Sequence, residues 1–207
     1  MVRKLTGKRY QPPSVECIKT LDRFLARITP VVPVDLMPGE NDPSNYMLPQ
    51  QPLHPCMFPE ASAVGPANLN LVTNPYEASL DGRRLLGTSG QNLDDIYRFS
   101  AIQTPAELME KTMRWQHLCP TAPDTLPTFP FKNEDPFAMG TEPDAECPDV
   151  YFAGNQRPGL EIRQLDSGEG RKTLLLAVPP FAETGVCILV NLRDMRPRVI
   201  KFSMQLG

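Results

Sequence analysis

Proline constrains this chain more than any other residue: 24 of its 207 residues are proline, about 12% against an average near 5%. Each proline holds φ near −65° and lacks an N–H, so it is barred from helix interiors and central strands. Helical bundles and coiled coils are therefore excluded, and short elements joined by stiff loops are expected. A core is still affordable. Leu, Ile, Val and Phe make up about a quarter of the chain, above the roughly 20% below which disorder is the default. The length predicts one domain or a domain with an appendage.

The net charge of −3 hides an asymmetry. Residues 1–27 sum to +5, residues 28–157 to −10 and residues 158–207 to +2. Affinity for nucleic acid comes largely from Lys and Arg displacing counterions, so DNA binding by the acidic middle is expected to be weak. Residues 1–13 read as a basic, flexible tail carrying Arg3, Lys4, Lys8 and Arg9 without the apolar run of a secretory signal. The longest apolar runs, Leu174–Val178 and Val186–Val190, are too short to span a bilayer, so no membrane association is expected. The five cysteines (17, 56, 119, 147 and 187) contain no CxxC pair. Reduced thiols in a cytosolic or nuclear setting follow.

Along the chain, Val15, Ile18, Leu21, Phe24, Leu25 and Ile28 recur at helical spacing after Ser14, which predicts an amphipathic helix ending before Pro30. Val31–Val34 reads as a short strand, and residues 42–68, with six prolines, as an ordered loop region. Leu69–Val72, Tyr76–Leu80 and Arg83–Gly87 read as strands, the last two joined through the hairpin turn Asp81-Gly82. Thr104-Pro105-Ala106-Glu107 is a helix start with Thr as N-cap and Pro at the first position, predicting a helix to about Gln116. After a second proline-rich stretch and a strand at Val150–Ala153, a meander is expected: Leu160–Leu165, Arg171–Val178, Val186–Leu192 and Arg198–Met204. The pattern predicts an α/β or α+β sheet sandwich for residues 14–207.

Two loops follow strands and are placed as active-site loops: Gly39-Glu40-Asn41-Asp42, and Gly154-Asn155-Gln156-Arg157. Ligands of open α/β sheets bind beyond the carboxyl ends of strands. These positions are similar to the late motifs of metal-dependent phosphoesterases, where a Gly-Asn-His-Asp/Glu loop and a Gly-His-x-His loop hold two metals that clamp the phosphate oxygens. Here Glu40 and Asn41 stand at the Asn and His positions, and Asn155 and Arg157 at the two later histidines. His117 could match an intermediate histidine, but one imidazole cannot replace the set. No metal or other cofactor, and no catalytic residue, is expected. His54, Cys56, His117, Cys119 and Cys147 could be assembled into a zinc site on paper, with loop histidines and buried cysteines as the plainer reading. Gly87-Thr88-Ser89-Gly90-Gln91-Asn92 lacks the Lys of a P-loop and reads as close backbone packing rather than an anion cradle.

The strings Val34-Asp35-Leu36-Met37-Pro38-Gly39-Glu40-Asn41-Asp42-Pro43, Leu48-Pro49-Gln50-Gln51-Pro52-Leu53-His54-Pro55-Cys56 and Leu86-Gly87-Thr88-Ser89-Gly90-Gln91-Asn92 closely resemble the B-subunit family of replicative DNA polymerases. So does His117-Leu118-Cys119-Pro120-Thr121-Ala122-Pro123-Asp124, and the branch they resemble is that of polymerase delta. The resemblance covers roughly residues 14–207. It implies an inactivated calcineurin-like phosphoesterase sandwich, here its C-terminal part, without the preceding oligonucleotide-binding barrel and first strands. It also implies a nuclear, non-catalytic accessory role in DNA replication and repair. The partners implied are the polymerase delta catalytic subunit, through its Cys-rich C-terminal domain, a third polymerase delta subunit and, indirectly, the sliding clamp. The alternatives are a metal-dependent phosphodiesterase or nuclease, and a free-standing interaction fragment. An isolated piece of sandwich is expected to leave apolar surface uncovered, foremost at Leu174–Val178 and Val186–Val190.

Overall fold

The computed structural model describes residues 13–131, 135–139, 147–168 and 171–203. The basic tail of residues 1–12, residues 169–170 and the end of the chain from Met204 lie outside the described residues. The chain divides into two compact units. One comprises the residues up to Leu36 together with Pro52–Val72, the other Met37–Gln51 with Thr73 onward.

The first unit begins with helix α1 (Pro13–Ile28), close to the range its periodicity predicts. The expected strand at Val31–Val34 is displaced to β1 (Val34–Leu36). The reason is local: the N–H groups of Val31 and Val32 both donate to the Ile28 carbonyl, at 3.0 and 3.1 Å, prolonging the helix end into a turn. β1 pairs in parallel with β2 (Leu69–Leu71). Between them the expected loop contains a 3₁₀ turn at Pro55–Met57 and helix α2 (Pro59–Val64). α2 has Pro at its first position but no neighbouring cap. Its cap comes from α1, where the buried Asp22 accepts the N–H groups of Glu60 at 3.0 Å and Ala61 at 2.9 Å. Leu25, Leu53, Phe58 and Ala61 form the small core of this unit.

The second unit is built on a mixed five-stranded sheet. Its strands are β3 (Tyr76–Leu80), β4 (Arg83–Thr88), β5 (Val150–Ala153), β6 (Glu161–Gly168) and β7 (Arg171–Ala177), in the order β3-β4-β5-β7-β6. β4, β5 and β7 are parallel, and β3 and β6 flank them antiparallel. The β3–β4 turn is Asp81-Gly82, with φ of 50° and 74°, the positive values the dipeptide predicts. Helices α3 (Gln91–Tyr97) and α4 (Pro105–Trp115) follow β4. Thr104 caps α4 through the Glu107 N–H at 3.4 Å, and Gln116 ends it in the left-handed region at φ 54°. A one-turn helix, α5 (Phe181–Thr184), precedes a separate hairpin of β8 (Val186–Asn191) and β9 (Arg196–Lys201).

The expected four-stranded C-terminal meander is therefore not one sheet. β7 inserts beside β5, β6 becomes the outer strand, and β8–β9 form their own ribbon. Alternation explains why. Leu175 and Ala177 join Leu93, Leu108, Met109 and Tyr151 in one core, while Leu174 and Leu176 join Val150, Phe152, Ile188 and Val190 in another. A continuous apolar run such as Leu174-Leu175-Leu176 has no polar face and belongs in a central strand covered on both sides. The expectation that Leu174–Val178 is left uncovered is thereby overturned, since Leu174, Leu175 and Leu176 are buried.

Candidate functional site

The carboxyl ends of β4 and β5 open into a cleft of about 300 Å³ whose lining includes Glu40, Asn41, Asp42, Asp94, Asn155 and Arg157. Both loops singled out in the sequence reach it, Gly39–Asp42 and Gly154–Arg157. Close packing holds the Gly154–Arg157 loop and β5 against β4 and the glycine-bearing loop that follows it. A Cβ on Gly90, whose φ is 102°, would lie 2.1 Å from the Gly154 carbonyl oxygen, and one on Gly87 would lie 2.0 Å from the Phe152 ring. The glycine-bearing loop before α3 thus serves the close packing expected of it.

Beneath the cleft lies a mesh of uncharged side chains that sequence reasoning does not assemble. The buried Asn74 points its Nδ2 at Gln50 Oε1, Ser89 Oγ and Gln91 Oε1, each at 2.8 Å. Its Oδ1 accepts the Ser89 N–H at 3.2 Å. Gln50 Nε2 donates to the carbonyls of Gly39 and Asn45, both at 3.0 Å. Asn155, in the left-handed region at φ 55°, donates through Nδ2 to the Ser89 carbonyl at 3.0 Å. The Asp42 carboxylate closes its own turn on the Gly39 N–H at 2.7 Å. Burial raises the Asp94 pKa, nearby Glu40 raises it further, and Arg157 opposes both. The cleft is thus a place where carboxylates, carboxamides and one guanidinium meet without an imidazole.

His117 lies apart from that lining. Its Nδ1 accepts the Cys119 N–H at 3.1 Å, so its Nε2 carries the proton and donates to Asp135 Oδ2 at 2.8 Å. His54 makes the same local contact, Nδ1 accepting the Cys56 N–H at 3.2 Å. The one-residue His-x-Cys spacing is that of a side chain turning onto the backbone two residues ahead. Burial pushes the Cys119 thiol well above its ordinary range, aided by Asp135, the opposite of what a metal-binding thiolate needs. Among the described residues no three His, Cys, Asp or Glu side chains are grouped as a metal site.

The family model for the B subunit of DNA polymerases alpha and epsilon matches residues 8–160. The chain belongs to that B-subunit family. A DNA polymerase delta small subunit from Arabidopsis thaliana is 45% identical over 192 residues, 93% of this chain and 42% of the relative. DNA polymerase delta subunit 2 of Drosophila melanogaster is 41% identical over 92% of this chain and 42% of its own length. The DNA polymerase delta small subunit of Saccharomyces cerevisiae is 36% identical over 88% of this chain and 42% of its own length. The chain thus spans less than half the length of these relatives. All three are named for polymerase delta, the branch that the proline-rich strings resemble.

Proposed function

We propose that this chain forms part of a non-catalytic accessory subunit of a nuclear, replicative polymerase of the delta type. In this reading it is the later part of a phosphoesterase-like sandwich whose cleft has lost its metals. It joins the catalytic subunit, through that subunit's Cys-rich C-terminal domain, to a third subunit and so indirectly to the sliding clamp. The observation that carries the reading is the donor set of the cleft. Where a two-metal phosphoesterase needs imidazoles together with carboxylates, this cleft offers the carboxylates of Glu40, Asp42, Asp94 and Glu183 and the carboxamides of Asn41 and Asn155, and its lining holds no imidazole. Arg157 brings a fixed positive charge to the place a cation would occupy. Carboxamides are weak ligands, and a guanidinium repels a divalent ion. These residues do not fit a two-metal centre, and no catalytic step is assigned to one.

The test is recovery of the tagged native protein from cells of its source. Co-purification of a polymerase catalytic subunit is expected, and repeated recovery without one removes the accessory reading. Manganese-dependent hydrolysis of a chromogenic phosphodiester, abolished by chelator, would instead restore the phosphodiesterase alternative. Duplex DNA is expected to bind weakly and without sequence preference, consistent with the −10 charge of residues 28–157.

A further inference from the structure

The parallel strands β4, β5 and β7 begin together at the end of the sheet opposite the cleft, and there a second, larger cavity of about 460 Å³ opens. Its charged lining is Arg83, Asp149, Lys172, Arg193 and Asp194. The two carboxylates are already engaged. Asp149 receives Arg83 Nη1 at 3.0 Å on one oxygen and the Arg84 N–H at 2.9 Å on the other. Asp194 accepts the Arg196 N–H at 3.2 Å and faces Arg196 Nε at 3.7 Å. Arg83 also donates through Nε to the Leu192 carbonyl at 3.2 Å, tying the tip of the β8–β9 hairpin to the sheet.

The positive charges left over are Lys172 and Arg193. Both are exposed, and among the described residues neither side chain has an ion-pair or hydrogen-bond partner. Lys172 stands across the β6–β7 ladder from Asp166. The cavity therefore presents two unspent cations, held on separate elements, beside two carboxylates that already have partners, Asp149 in a close ion pair with Arg83 and Asp194 in a looser one with Arg196. A phosphate backbone, with a charge at every step, would meet those carboxylates. A protein segment with acidic side chains at intervals, separated by neutral ones, would not.

We infer that this cavity is an interaction surface for an acidic segment of a partner protein, whose carboxylates pair with Lys172 and Arg193. The surface lies at the far end of the sheet from the cleft, and its test does not depend on the accessory-subunit reading.

The experiment is fluorescence anisotropy of the 207-residue chain with a short fluorescein-labelled peptide rich in Glu and Asp, alongside a labelled oligo(dT). Binding of the peptide that weakens with salt is expected. K172E/R193E should reduce it by about tenfold or more, while K111E, a charge reversal on α4, should change it less than about twofold. Should K172E/R193E melt at a lower temperature than the parent, K172Q/R193Q replaces it, with a smaller loss in the same direction. Equal losses in K111E, or tighter binding of oligo(dT), overturn the inference. Glu142, Asp144 and Glu146 precede Cys147 in the chain, so E142Q/D144N/E146Q is measured as well. If the peptide binds only in that variant, the cavity serves the chain's own acidic stretch and the inference falls.

Discussion

Two sheets in this molecule solve the same problem unequally. The five-stranded sheet has its parallel strands buried on both faces, and Tyr151 and Leu175 are fully enclosed. The β1–β2 pair is also parallel, yet it has two strands of three residues and a core of four buried side chains. Around it Phe24, Val31, Val32 and Val64 are all exposed, Val31 at 78%. Parallel strands normally occur in sheets covered on both faces. The contrast teaches that enclosing a parallel strand on both faces takes a larger sheet: β5 and β7 are covered, whereas the first unit leaves Phe24, Val31, Val32 and Val64 open, and the separate β8–β9 ribbon likewise leaves Leu189 and Val199 exposed.

The comparison breaks most readily at Leu175. Leu175→Ala should cost about 2–5 kcal/mol, measured by denaturant unfolding, because the cavity forms between packed layers. Alkali should weaken the same unit next. Burial pushes Tyr151 up to about 12 from an ordinary value of 10, so the folded form holds a proton that the unfolded chain has released. Stability is full below pH 10 and falls as pH rises toward 12, by up to about 2 kcal/mol. A thermal midpoint that stays level across that range would contradict it.

Smaller effects sharpen the first unit. Asp22→Ala removes both bonds that cap α2 and should cost about 1–2 kcal/mol. Hydrogen exchange should show the loss at the Glu60 and Ala61 amides while those of β5 and β7 keep their protection. Val31→Ala, at an exposed turn, should stay within about 0.5 kcal/mol. A loss of more than about 1 kcal/mol at Val31 would mean that this side chain is covered in solution.

Local chemistry is legible in the sequence; distant supply is not. Asp81-Gly82 and Thr104 act on residues within three positions, so the hairpin and the start of α4 can be read directly. The α2 cap travels 38 positions from Asp22 to Glu60, and no local pattern announces it. The two cleft loops are legible because a glycine-containing loop after a strand has a known place at the strand's end. Gln50 and Asn74 are not, since a single amide in a proline-rich stretch carries no spacing signal. His117 matches a motif by order along the chain, but its ring is turned onto its own backbone and Asp135. The leucine run at 174–176 reads correctly as apolar, but its position does not follow, because whether such a run is central or marginal depends on which strand it pairs with.

The mesh under the cleft also has a consequence for how the protein tolerates mutation. A metal centre is brittle: removing one ligand can empty the whole site. The contacts among Gln50, Asn74, Ser89, Gln91 and Asn155 are separate neutral bonds, each worth about 0.5–1.5 kcal/mol. Losing an outer member such as Asn155 leaves the others standing, whereas losing Asn74, which joins Gln50, Ser89 and Gln91, opens the mesh at its centre. Its amides and hydroxyl neither gain nor lose protons in the physiological range. The mesh itself is therefore indifferent to acidity, and the groups that titrate in the cleft are its carboxylates, among them Asp94 with its pKa raised by burial and by Glu40.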